Sequence, residues 1–270
     1  MRRCRNGIVR TDLWLEEGFK EPLKICEKLT EPFNDDNPRK IYEYLTGFGM
    51  YTPDRFSRNI FKELKEKKVW DLAKNIHLKY RRMWAGPDIN VYIFPSGGGG
   101  LFSRHSGKSG VSFANMLFLF LPSEIEEAEL EALFVHEYHH VCRINSQKKK
   151  LEEFTLLDSI ILEGLAEHSV EIHCGKKFRG SWCTRYSKEE IRNFWDKLIK
   201  PNLKLKKNDR LHQKILYGER PYPLLLGYAA GYEIVKEFKE KKSFSTKISF
   251  SMPSEYFVDQ TLYKLDSHSL

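Results

Sequence analysis

Three histidines and a glutamate crowd into HEYHH, residues 136–140 of a 270-residue chain. Side chains four positions apart lie one above the other on an α-helix. His136 and His140 can therefore present imidazole nitrogens to one metal ion, at about 2.0–2.1 Å if the ion is zinc. His139 points off that line and is expected either to support the pair or to lie at the surface. Glu137, next to the first imidazole, projects beside the position such an ion leaves open, where a carboxylate can take a proton from a metal-activated water. The chemistry available to this set is hydrolysis.

A catalytic zinc needs three protein ligands and one open position, so a third donor is expected further on. Thr155-Leu156-Leu157-Asp158 has the form of a capping box, and DSIILEGLAEHSVEIHCG then runs apolar at helical spacing until Gly175. This second helix carries Glu163 and, four residues on, Glu167. Glu163 sits in the apolar run IILEGLA, where an unpaired buried carboxylate is costly; a metal removes that cost. Glu167 then suits a supporting role, accepting the far N–H of a liganding histidine and so fixing its tautomer. Gly164 lets two helices approach closely, although glycine costs up to about 1 kcal/mol in helix propensity. His168 is expected beside the site or at the surface.

HEYHH followed 23 residues after its second histidine by EGLAE resembles the gluzincins, the thermolysin-like class of zinc peptidases with an HExxH pair and a third glutamate ligand. More narrowly, GIVRTDLWLEEGF, GVSFANMLFLFLP, HEYHHVCR, LLDSIILEGLAE and GYAAGYEIVKEF together resemble the bacterial YjaZ-type family of predicted zinc-dependent proteases, over most of the chain. The resemblance implies an α+β, mainly helical zincin-like metallopeptidase fold with a small β-sheet next to the HExxH helix. It implies Zn2+ held by His136, His140 and Glu163, Glu137 as general base, and a peptide or protein substrate. In gluzincins a tyrosine or histidine from the C-terminal half stabilises the oxyanion. The resemblance favours Tyr228 for that task; Tyr232, four residues on, and His212 are the alternatives. A zinc-containing regulatory or binding protein without turnover is the competing reading.

The histidines must be positioned by the helix on which they sit. Residues of about 124–144 read as that helix, with Ser123 and Glu126 as a capping box and Arg143 near the end where a cation favours the dipole. Arg143 is alternatively a partner for Glu167 or a neighbouring acid, and Cys142 is expected to pack in the core beside the site. Before this helix, INVYIFP alternates as a strand, and GVSFANMLFLFLP reads as a second. Its exposed edge around Val111 to Leu121 is a candidate track for an extended peptide. The glycine-rich SGGGGLFSRHSGKSG between them is no phosphate loop, because Phe102 stands where the motif needs glycine.

Helical spacing recurs over about 11–85 and again beyond 176. The chain accordingly reads as one unit, 1–270, with an N-terminal helical region (1–87), a sheet with two metal-ligand helices (88–175) and a C-terminal helical region (176–270). Five cysteines, widely spread and without a C-x-x-C pair, argue against a disulfide framework. No apolar run reaches membrane-spanning length, and no secretory signal pattern is recognised, so the expected location is the cytoplasm. The net charge of +8 could serve an anionic partner, but the lysines sit in short runs beside glutamates, typical of solvated helix faces, and no nucleic acid is expected as partner.

Overall fold

The computed structural model describes residues 7–97, 107–147, 149–261 and 263. Most of the glycine-rich stretch lies outside them. Contacts divide the chain into two compact units, Met1–Val141 and Cys142–Leu270. The boundary falls inside one continuous helix, Glu127–Ser146, the histidine helix.

The first unit combines helices with a sheet. Thr11–Gly18, Pro22–Glu27, Pro38–Phe48, Arg55–Glu66 and Val69–Trp84 are helical, in keeping with the three- and four-residue apolar spacing. Asp54 caps Arg55–Glu66 through a reciprocal bond with Ser57. The sheet holds β1 (Gly7–Ile8), β2 (Asn90–Pro95), β3 (Ser109–Ser112) and β4 (Met116–Leu121) in the order β1-β2-β4-β3. β1, β2 and β4 are parallel, and β3 is antiparallel to β4. Central parallel strands are covered on both faces and lose the polar alternation of a half-exposed strand. Leu117 to Leu121 are accordingly all fully buried.

The expected single strand from Gly110 onward is two strands. The chain reverses through Phe113 to Asn115, with the Phe113 N–H bonded to the Met116 carbonyl. Val111 pairs with Phe118 across the hairpin. Among the described residues, β3 is therefore the part of this stretch at the sheet edge, while β4 lies between β2 and β3. The histidine helix starts at Glu127, later than Ser123: the Glu126 N–H is taken by the Glu129 carboxylate and the Glu126 carbonyl accepts from Leu130.

The second unit is helical. The glutamate helix, Leu156–His173, begins in the expected capping box, with Thr155 and Asp158 bonding each other's backbone N–H. It is buried at every position from Leu156 to Val170. It packs most extensively against the tyrosine helix, Leu226–Lys241. Ser187 and Glu190 cap Lys188–Phe194, which continues into a wider turn over Trp195–Ile199. No helix among the described residues is long and apolar enough to cross a membrane.

Candidate metal centre

In the first unit, the rotation of the histidine helix is fixed by its apolar side. Tyr138 is fully buried, stacks on Trp84 at 5.8 Å and donates from Oη to the Pro87 carbonyl at 2.8 Å. Phe134 and Val135 are equally buried. His136 and His140 then fall on one face, ring centroids 4.5 Å apart and nearly perpendicular. His139 is fully buried, edge-on to Trp84, which removes the surface half of its expectation.

Glu137 is 6% exposed. Ser112 on β3 donates to its Oε2 at 2.5 Å and lies 2.9 Å from its backbone carbonyl. Gly110, two residues earlier and on the same face of the strand, makes room for the carboxylate: a Cβ there would lie 2.6 Å from the Glu137 Cδ. Sequence reasoning did not single out this pair. The available signal was a glycine and a hydroxyl two apart in an edge strand, which gains meaning only once that strand is known to face the base.

In the second unit, Glu163 is 8% exposed and Glu167 is buried. Glu167 accepts the Gly180 N–H at 2.8 Å and the Cys183 thiol at 3.6 Å; burial and this carboxylate push the thiol pKa up. Lys207 is a further residue the sequence did not mark: burial lowers its pKa, and the charge of Glu163 works to raise it. Arg143 belongs to this unit, where burial lowers its pKa to about 10 and the charges of Asp158 and Glu255 work to raise it. It is buried and donates to the Ser249 carbonyl at 2.5 Å and to Ser254 Oγ at 3.1 Å. His168 is buried, not superficial, stacked on Tyr232 at 4.4 Å with Nε2 3.0 Å from the Tyr232 carbonyl. Burial lowers its pKa to about 4. Cys142 is buried, as expected.

The three oxyanion candidates have different surroundings. Tyr232 donates to Glu171 at 2.8 Å and accepts from Arg179; its pKa is raised by burial and by the Glu171 carboxylate. His212 is fully buried between the Leu205 carbonyl (3.2 Å) and Ser159 Oγ (3.1 Å), and burial lowers its pKa. Tyr228 is buried within an aromatic group, 5.6 Å from Trp182 and 5.9 Å from Tyr217 between ring centroids.

One ligand atom from each of His136, His140 and Glu163 lies within 4.8 Å of the others, so the three are positioned to bind a metal ion. Two imidazoles and a carboxylate suit zinc, and three protein donors leave its fourth position for water or substrate.

An α+β chain with an HExxH helix and a glutamate donor defines a class of protein with a candidate metal centre, and sequence comparison narrows it. Residues 69–259 match the family described as "Predicted Zn-dependent protease (DUF2268)", and the chain belongs to that family. The "Uncharacterized protein YjaZ" of Bacillus subtilis (strain 168) is 34% identical over 228 residues, which cover 84% of this chain and 87% of that protein. No solved structure matches the chain.

Proposed function

We propose that the protein is a zinc-dependent metallopeptidase of the gluzincin type. The observation that carries this reading is the convergence of His136, His140 and Glu163 donors within 4.8 Å, with Glu137 buried beside the first ligand. Zinc bound there supplies Lewis acidity, making a water nucleophilic near neutral pH and polarising the peptide carbonyl.

The chain's own groups carry the protons. Glu137 accepts a proton from the attacking water at its carboxylate as the C–O bond forms, then delivers it to the amine nitrogen as the peptide C–N bond breaks. Tyr228 donates from Oη to the oxyanion that develops on the former carbonyl. The choice of Tyr228 over Tyr232 and His212 follows the family resemblance. Glu167 is assigned to orienting a liganding imidazole, while its bonds to Gly180 and Cys183 hold the following loop on the glutamate helix.

The test pairs metal analysis with peptide cleavage. Purified protein is expected to contain one equivalent of zinc and to cleave unfolded protein substrates. Glu137→Gln is expected to keep the zinc and lose about 10²–10⁴-fold in kcat. Stoichiometric zinc with no cleavage across a diverse peptide library would instead mark a zinc-containing binding protein.

A further inference from the structure

We infer that β3 is the seat of the general base: Ser112 and Gly110 are positioning residues that hold the Glu137 carboxylate in its working orientation. The inference rests on the proposal that Glu137 is the base, and adds what sets its geometry.

Glutamate has three rotatable side-chain bonds, and a base is effective only when its oxygen is held at hydrogen-bond distance from the proton it takes. The fold restricts that freedom from β3. Side chains two apart on a strand share a face, and on this face stand a residue with no side chain and one with a hydroxyl. The absent Cβ of Gly110 is required by contact: one built there would meet Glu137 Cγ and Cδ at 2.6 Å and Oε1 at 2.7 Å. Gly110 has no positive φ among the glycines that do, so glycine is needed here for space and not for backbone conformation.

Ser112 supplies the fixing contact. Its Oγ lies 2.5 Å from Glu137 Oε2 and 2.9 Å from Glu137 O. The hydroxyl has a single proton to give, and the shorter contact assigns it to Oε2, with the backbone carbonyl of the same residue beside it. Oε2 is thereby held by the serine while Oε1 lies over the glycine. β3 is in turn fixed in place by pairing with β4, Gly110 opposite Leu119 and Ser112 opposite Leu117. Ser109 Oγ adds a bond to the Phe48 carbonyl at 2.6 Å.

The experiment uses the full-length, zinc-loaded chain with Ser112→Ala, Ser112→Thr and Gly110→Ala. Ser112→Ala is expected to lower kcat about 10- to 100-fold at unchanged KM and zinc content, Ser112→Thr to restore most of it, and Gly110→Ala to lower kcat without rescue. Ser112→Ala added to Glu137→Gln is expected to change residual activity less than about twofold, because there is no base left to position. An equal loss in both backgrounds would make the serine merely structural and overturn the inference. Crystal structures of wild type and Ser112→Ala give a readout independent of turnover. The Glu137 carboxylate is expected to leave β3 in the variant; finding it unmoved overturns the positioning role. If the wild-type protein cleaves nothing, the peptidase reading fails, while carboxylate displacement still decides whether Ser112 holds Glu137.

Discussion

Gly164 on the glutamate helix and Gly231 on the tyrosine helix meet backbone to backbone. A Cβ on Gly164 would lie 2.1 Å from the Gly231 carbonyl oxygen, and one on Gly231 would lie 2.0 Å from the Ile160 oxygen. No flexible side chain stands in the way to yield, so two helices must separate. Gly164→Ala is therefore expected to destabilise the fold by about 1–3 kcal/mol or more, despite the better helix propensity of alanine. Because Glu163 is the adjacent residue, zinc affinity should fall with it. Urea denaturation with and without metal checks the first effect, and competition against a chelator the second.

Removing the third ligand should uncouple metal from stability. A bound metal stabilises the folded state by RT ln(1 + M/Kd), with M the free metal concentration. Chelation is thus expected to lower the melting temperature of the wild type. Glu163→Ala should lose at least about 100-fold in zinc affinity and show a melting temperature indifferent to chelator. A wild-type melt that ignores chelator would show that the metal contributes nothing to the fold.

The two tyrosines of GYAAGY should separate by phenotype. Tyr228→Phe is expected to reduce kcat about 10²-fold, the scale for loss of an oxyanion donor, with zinc content unaltered. Tyr232→Phe removes hydroxyl bonds to Glu171 and Arg179 and should cost about 1–2 kcal/mol in stability while leaving kcat within a few-fold. Steady-state kinetics beside thermal melts distinguish the pair; reversed phenotypes would exchange their roles.

His168 should make the fold acid-sensitive before its carboxylates protonate. Burial lowers its folded-state pKa to about 4 from the ordinary histidine value of 6.5. Above pH 6.5 both folded and unfolded chains hold it neutral. Below that value the unfolded chain takes up a proton that the folded chain refuses, so stability falls as pH drops, until about pH 4. The full loss is about 3 kcal/mol. His168→Gln, which retains a donor for the Tyr232 carbonyl, should flatten the pH dependence of urea unfolding between 6.5 and 4; an unchanged slope would assign that dependence to other groups.

The metal donors were legible in the sequence because helix geometry converts spacing into position. A separation of four put His136 above His140, and the cost of burying Glu163 in IILEGLA pointed to a partner for its charge. The capping box at Thr155 fixed the start of its helix for the same local reason. Non-local features were not readable in this way. β3 and β4 merged into one apolar run, because a buried strand carries no alternation and the turn at Phe113 to Asn115 lacks a strong turn signature. Ser123 had the type of a cap, yet Glu129 took the contact. Ser112 and Lys207 reach the neighbourhood of Glu137 and Glu163 from distant sequence, where no spacing rule applies. Arg143 reads equally well as a dipole partner or an ion-pair donor; it does lie in the last turn of its helix, with the charges of Asp158 and Glu255 acting on it, but its serine and carbonyl acceptors come from distant sequence.

The sheet order also has a meaning in time. The hairpin pairing of Ser109 with Phe120 is short-range, but the partner of Gly7 is Asn90, reached only after five helices of six or more residues. Contacts of such separation close late and slow folding. During synthesis β1 leaves the ribosome long before β2 exists, so the helices between them must collapse around an unfilled strand position. The seat of Glu137, built on β3 and β4, is consequently among the last parts of this unit to be translated and among the quickest to close.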